Sequence, residues 1–422
     1  MTRIASLATV VTLVSLIQLG MPSAQAISPP RVDDRWLPKP ALPAPPQPST
    51  QREVCAEITT DRQPDRSRPP DPELARVWQL SRGAGQRVAV IDTGVAQRDG
   101  LPHVVPGGDY VSTGDGTQDC DAHGTLVAGI VTGIAPDVTL IGIRQSSAKF
   151  TPANHRATTG VGDVDTMAKA VRTAADLGAS VINVSSVACV PVTSALDDRA
   201  LGAALAYAVD VKNVVVVAAA GNTGGAAQCP SQRPDATWDT VTVAVSPGWY
   251  DDYVLTVGSV NADGTPSAFT LAGPWVDVAA SGEAVSSLDS VPLSGTSYAA
   301  PVVSGLAALI RARFPSLPAR QVMQRIESTA HRPPGGPGPL VGSGTVDAMA
   351  AVSTGSAPVA DTQPVPTPVP IPARAAPAPA DHHARDAALA GAAVCLAVLI
   401  AGVVTGAARG RLPRPDDDVA GD

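Results

Sequence analysis

Ser297, His123 and Asp92 are the residues of this 422-residue chain whose types and settings could together carry nucleophilic catalysis. Ser297 lies in Leu293-Ser294-Gly295-Thr296-Ser297-Tyr298-Ala299-Ala300-Pro301, a Gly-bearing turn that runs into an apolar, Ala-rich stretch. Tyr298 to Phe314 reads as a buried helix, with Pro301 in its first turn, where a missing N–H costs little, and Pro315 as its stop. The hydroxyl would then stand at a helix N-terminus, where free N–H groups and the dipole favour developing negative charge. A serine nucleophile needs a base, and the base needs a group that orients it. Of the six histidines, His123 alone sits among small residues at the entry to an apolar helix, in Asp121-Ala122-His123-Gly124-Thr125-Leu126-Val127-Ala128-Gly129. Asp92 closes the apolar run that begins at Arg87 and is followed by Thr93-Gly94. That pattern reads as a buried parallel strand with its carboxylate at the edge where ligand sites of open α/β sheets gather.

A fourth segment, Val214 to Ala220 followed by Gly221-Asn222, reads as a strand that ends in an asparagine. Its side-chain amide could donate to a tetrahedral oxyanion together with the Ser297 N–H. Each residue also has a plain structural reading: a helix cap for Ser297 or Asp92, a surface imidazole for His123, a turn for Asn222. Taken together, the chemistry is the more economical account. His103, His155, His331, His382 and His383 read as loop or linker surface.

The elements that must position these groups alternate. Val138 to Ile143 and Ala179 to Ser185 read as strands, and between them a helix runs through Met167, Val171 and Leu177, capped by Asp163 or Asp165 and stopped by Gly178. Strand–helix–strand alternation implies right-handed crossovers and an α/β fold, a mostly parallel sheet flanked by helices. With 3% aromatic residues, the core has to be built from Val, Ala, Leu and Ile.

The ends of the chain speak of export and a membrane. Residues 1–26 hold Arg3, an apolar run from Ile4 to about Leu19, and Ala24-Gln25-Ala26, the pattern of a cleaved secretory leader; an uncleaved anchor is the alternative. Residues 27–71 are a Pro-rich extension without strand or helix periodicity, and 72–355 carry the alternating elements. Residues 356–386 form a Pro/Ala-rich linker whose first 25 or so residues could reach about 75 Å as polyproline II. Residues 387–408 carry no charge and would span about 33 Å as a helix, enough for a hydrocarbon core. Arg409, Arg411 and Arg414 in the tail, 409–422, put that end in the cytoplasm and the rest on the periplasmic side, a single-pass type I arrangement. Cys55, Cys120, Cys189 and Cys229 lie in the exported part, and Cys395 in the span. Three pairings are open to the four; the expected one is Cys55–Cys120, tying the extension to the loop before His123, with Cys189–Cys229.

The four segments resemble the subtilase family of serine proteases, whose D-T-G, H-G-T-x-V-A-G, A-A-G-N and G-T-S-x-A-x-P motifs stand here in family order over roughly residues 72–352. The resemblance implies Asp92, His123 and Ser297 as catalytic triad and Asn222 in the oxyanion hole. Loss of the corresponding asparagine in a subtilisin costs about 10²–10³ in turnover. Residues 27–70 are too short and too Pro-rich for the compact prodomain usual in secreted subtilases, so an extension that wraps on the catalytic domain is expected. Leader, extension, protease, linker and membrane helix together resemble the mycosins, as do Asp119-Cys120-Asp121, Val187-Ala188-Cys189, Trp249-Tyr250-Asp251-Asp252-Tyr253 and Gly273-Pro274-Trp275. That resemblance implies a type VII secretion membrane complex as partner, exported proteins as substrates, and a structural role in the complex beside proteolysis.

Val187 stands where many subtilases have a glycine that lines the first specificity pocket, which points to narrow specificity. Gln145 to Gly162 is a polar insertion and reads as a loop. The chemistry needs no cofactor, and Asp115, Asp119 and Asp121 read as a solvated turn rather than a metal site. A net charge of −8 leaves no footprint for nucleic acid.

Overall fold

Short Val-, Ile- and Ala-rich runs bounded by turn residues become strands in the chain. They are β1 (Ser49–Gln51), β2 (Arg87–Asp92), β3 (Val104–Asp109), β4 (Thr139–Arg144), β5 (Phe150–Pro152) and β6 (Val181–Val184). The series continues with β7 (Ala188–Pro191), β8 (Val215–Ala219), β9 (Val243–Ser246), β10 (Leu255–Val260) and β11 (Val278–Ser281). The helices are α1 (Pro72–Leu80), α2 (His123–Ile134), α3 (Val164–Asp176), α4 (Arg199–Ala206), α5 (Thr296–Arg313), α6 (Ala319–Thr329) and α7 (Ala348–Val352). The computed structural model describes residues 27–58, 71–153, 160–194, 196–225, 228–288 and 290–354. The leader, the linker, the charge-free stretch 387–408 and the tail lie outside the described residues; among those described, no helix is long and apolar enough to cross a membrane.

Seven strands form one sheet in the order β11-β10-β8-β6-β2-β4-β3, and every neighbouring pair is parallel. β6, β8 and β10 are buried along their whole length, as strands covered on both faces must be. From β2 the chain builds outward through β3 and β4, then crosses to β6 on the other side of β2. The carboxyl end of β2 is therefore the switch point of the sheet, and Asp92 sits on it. α5 crosses one face of the sheet against β6, β8, β10 and β11 and packs on α2. Val, Ala, Leu and Ile fill the core; Trp275 is the largest side chain buried completely.

The extension wraps onto the α/β domain. Ile27 N–H donates to Trp238 O at 3.0 Å, the Trp36 ring stacks 3.8 Å from the Arg199 guanidinium, and Cys55 is bonded to Cys120. Two sequence expectations need correction here. The extension does contain a strand, since β1 pairs antiparallel with β5 through Ser49–Pro152, Thr50–Thr151 and Gln51–Phe150. For the same reason the insertion after β4 is not loop throughout: β5 lies within it. Three-residue strands carry no readable period, and each finds its ladder only in the other.

Candidate active site

β2 and α2 bring Asp92 and His123 together. Asp92 is fully buried, and its Oδ1 lies 2.7 Å from His123 Nδ1. A carboxylate only accepts, so Nδ1 carries the proton and Nε2 keeps its lone pair. Close packing of two glycines sets this approach. A Cβ on Gly124 would stand 2.1 Å from Gly94 O and 2.9 Å from Asp92 Cβ, and Gly94 itself is at φ +104° with Gln118 O beside it. Gly124 N–H donates to Thr93 Oγ1 at 2.9 Å, so the middle residue of Asp-Thr-Gly holds the first turn of α2.

Asp119 is not part of a solvated turn, contrary to the sequence expectation, and neither is Asp121. Asp119 accepts from Thr93 Oγ1 at 2.8 Å, from Thr125 N and Oγ1 at 2.8 and 2.6 Å, and from Asp121 N at 3.1 Å. Asp121 accepts from Ser147 Oγ and from Ala148 N. Asp115 alone of the three is exposed. Burial by itself would lower the His123 pKa; the charges of Asp92, Asp119 and Asp121, with the Asp92 hydrogen bond, more than offset it and raise the imidazole above its ordinary 6.5.

Ser297 is the second residue of α5 and is buried. The helix starts at Thr296, so Pro301 lies inside it and not in the first turn. A proline there has no N–H for Ser297 O. Ser185 Oγ supplies the missing donor at 2.9 Å, itself accepting from Asn183 Nδ2 at 2.9 Å, while Ser304 Oγ donates to Asn183 Oδ1 at 2.8 Å. The Tyr298 ring lies 5.3 Å from the imidazole, which puts the start of α5 beside His123. Burial, then Asp92 and Asp119, push the Tyr298 hydroxyl up to about 12, so it stays neutral. Among the described residues no hydrogen bond joins Ser297 Oγ to His123.

Thr296 aims Asn222. Its N–H and Oγ1 both donate to Asn222 Oδ1, at 2.9 and 3.1 Å, and its Oγ1 accepts from Gly221 N at 3.1 Å. With the carbonyl of the side chain so occupied, Nδ2 is left to donate elsewhere. A Cβ on Gly295 would meet Ser297 Oγ at 3.1 Å and Asn222 Nδ2 at 3.5 Å, so both atoms border one spot. A hydroxyl nucleophile and an amide donor facing the same space suit acyl transfer. Val187 packs beside Gly221 and lines a cavity of about 180 Å³ with Met167, Leu201 and Pro247. Cys189 is bonded to Cys229, whose N–H donates to Asn222 O at 2.9 Å. No group of His, Cys, Asp and Glu suited to a metal is present among the described residues.

The sequence expectations give no role at the site to Thr93, Thr125, Thr296, Ser185, Asn183 or Ser304, and they place Asp119 in a solvated turn. Thr93 and Thr296 stand inside the quoted motifs, and Asp119 stands four residues before His123, so motif adjacency was a signal for these.

Residues 83–355 match the subtilase family, Peptidase_S8. Mycosin-4 of Mycobacterium tuberculosis (strain ATCC 25618 / H37Rv) is 64% identical, over 100% of this chain and 99% of its own. The solved structure of the MycP3 protease from the type VII (ESX-3) secretion system is 43% identical, with a TM-score of 0.71, and covers 78% of this chain and 100% of its own. A chain of an intact ESX-5 inner membrane complex is 38% identical, with a TM-score of 0.71, over 91% of this chain and 100% of its own. The chain belongs to the subtilase family of serine proteases and, within it, to the mycosins.

Proposed function

We propose that this chain is a narrow-specificity serine endopeptidase, with Ser297 as nucleophile, His123 as base and then acid, Asp92 as the group that orients it, and Asn222 in the oxyanion hole. The observation that carries this reading is the 2.7 Å contact of His123 with a fully buried Asp92, in a chain whose Ser297 Oγ and Asn222 Nδ2 border one spot. His123 Nε2 takes the Ser297 proton as Oγ attacks the scissile carbonyl, and returns it to the leaving amine. The tetrahedral oxygen is held by Asn222 Nδ2 and the Ser297 N–H at the helix start. Val187 beside Gly221 supports the narrow specificity, because its side chain takes space from the cleft.

The same proposal places the protease on the periplasmic side of the cell membrane, held by residues 387–408 to a type VII secretion complex whose exported proteins are its substrates. Its support is the similarity to a chain of the ESX-5 inner membrane complex and the leader and charge pattern of the sequence. The resemblance to the mycosins implies a second role as well, stabilising the complex partly apart from cleavage. A fluorophosphonate probe tests the chemistry: wild type is expected to label and Ser297→Ala is not, with the fold kept. Equal labelling of both refutes the assignment. Secretion in a Ser297→Ala strain, compared with a deletion strain, separates cleavage from the structural role; a block as complete as that of the deletion, at normal protein level, refutes the structural role.

A further inference from the structure

The run Trp249-Tyr250-Asp251-Asp252-Tyr253 takes no part in the site around Ser297. With Trp238 and residues Ile27 to Val32 of the extension it lines a cavity of about 580 Å³. Its wall is braced from behind: Asp198 accepts from Trp249 Nε1 and from the Tyr250 hydroxyl, each at 2.8 Å. The Ile27 side chain packs against the core, and its N–H donates to Trp238 O at 3.0 Å. Ile27 is also the residue that directly follows Ala24-Gln25-Ala26.

We propose that this cavity is the seat of the chain's own mature N-terminus, whose α-ammonium is held by Trp238 O and the carboxylates of Asp251 and Asp252. The inference rests on removal of the leader after Ala26. A leader peptidase hydrolyses the Ala26–Ile27 amide: water oxygen leaves on Ala26 as its carboxylate, and the Ile27 nitrogen is protonated. An amide nitrogen has one donor and no charge, whereas an ammonium has three donors and a positive charge. Only the cleaved chain can use a carbonyl and two carboxylates at once.

The electrostatics of the cavity suit a cation. Desolvation, then the charge of Asp252, pushes the Asp251 carboxyl up to about 6. Asp277 and Glu327 are raised by burial and next by Asp251. Four carboxyl groups therefore crowd one region, and an ammonium beside Asp251 relieves their repulsion. Arg31 lines the cavity and is exposed, and Arg320, paired with Asp210, donates to Asp252 O and stacks on Tyr253 from beside it; Tyr250 and Tyr253 are the remaining titratable groups on the wall. The face of Trp238 suits a cation as well, whereas that of Tyr253 already carries the Arg320 guanidinium, 5.0 Å from its centroid. Cleavage would thus fasten the extension at Ile27, while the disulfide fastens it at Cys55.

The test uses the full chain, exported by the cell and extracted in detergent. Limiting isotopic acetic anhydride labels the α-amino group at a series of pH values, and the mass of the first peptide reports both where the chain begins and how much label it took. The chain is expected to begin at Ile27. Asp251→Asn with Asp252→Asn is expected to label about two- to fivefold faster at pH 7, the size of a partly exposed ion pair. Asp263→Asn, on an exposed turn, is expected to label as wild type does. A chain lengthened by one alanine before Ile27 moves the ammonium off the carboxylates and is expected to behave as the double variant. Probe labelling of Ser297 shows that each variant is folded. A start at Ile27 with equal labelling of wild type, double variant and lengthened chain overturns the seat and leaves the leader reading intact. A start elsewhere overturns the leader reading, and the seat with it.

Discussion

Gly124→Ala is the sharpest perturbation of the geometry around Asp92. Its new Cβ would stand 2.1 Å from Gly94 O, against an ordinary contact of 3.4 Å or more. Both obstacles, Gly94 O and Asp92 Cβ, belong to the end of β2 and its turn, so the start of α2 must retreat by about 1 Å. His123 is the adjacent residue, and its bond to Asp92 is 2.7 Å long. A 1 Å retreat takes that bond out of hydrogen-bond range. Misplacement of this size costs on the order of 10²-fold in reactivity, and the overpacking about 1–3 kcal/mol in stability. Gly133→Ala is the control in the same helix: nothing lies within 4 Å of its Cβ, the site is exposed, and alanine should stabilise by about 0.5–1 kcal/mol. The assay is the second-order rate of fluorophosphonate labelling, with thermal melts of both variants. Wild-type labelling by a folded Gly124→Ala would show that the glycine does not set the His123–Asp92 approach, and the argument would fall.

Asn222→Ala is expected to leave Ser297 reactive to the probe but to slow peptide turnover about 10²–10³-fold, as one lost oxyanion donor does; turnover within tenfold of wild type refutes its role. Because the base must be neutral and His123 is raised above 6.5, labelling should rise with pH through a midpoint above that value. Asp119→Asn removes one of the charges that raise it, so the midpoint should move to lower pH; an unmoved midpoint in a folded variant refutes the electrostatic account. Ser185→Ala leaves the buried Ser297 carbonyl and one Asn183 N–H without partners, which should cost about 1–3 kcal/mol in denaturant unfolding.

What could be read in the sequence is what local text encodes. Arg87 to Asp92 is a strand by composition alone, the capped helix after Asp163 forms with its full capping box, and the sheet is parallel as the alternation requires. The contact of His123 with Asp92 follows from where those elements must end. What could not be read depends on residues far apart in the chain. Ser185 and Ser297 are 112 residues apart, and nothing near Ser185 announces a missing N–H at Pro301. β3, Val104-Val105-Pro106-Gly107-Gly108-Asp109, carries a proline and two glycines that argue against a strand; it survives at the sheet edge, with a register shift between Pro106 and Gly108. Gly108 is also where Pro43 of the extension packs, a contact no periodicity foretells.

The two disulfides explain how loops at the edge of the sheet can hold such a geometry. Each closes a separation of tens of residues, 65 for Cys55–Cys120 and 40 for Cys189–Cys229, and so stabilises by about 4 kcal/mol in the chain-entropy picture. Their placement matters more than that sum. Cys120 stands between Asp119, which holds Thr93 and Thr125 on either side of the His123–Asp92 contact, and Asp121, which fixes the start of the insertion. Cys229 donates its N–H to Asn222 O, on the residue whose side chain faces the Ser297 hydroxyl. One bridge therefore braces the loop before His123, and the other the loop that carries Asn222. The first also commits the extension to the catalytic domain, because β1 and β5 complete each other's only ladder and Ala56 N–H donates to Cys120 O at 2.8 Å. Had the extension been meant to leave, its departure would strip β5 of its partner and loosen the loop that carries Asp119. The extension is therefore expected to stay with the mature protein; a start near Asp71, formed only when Ser297 is present, would refute this in N-terminal sequencing.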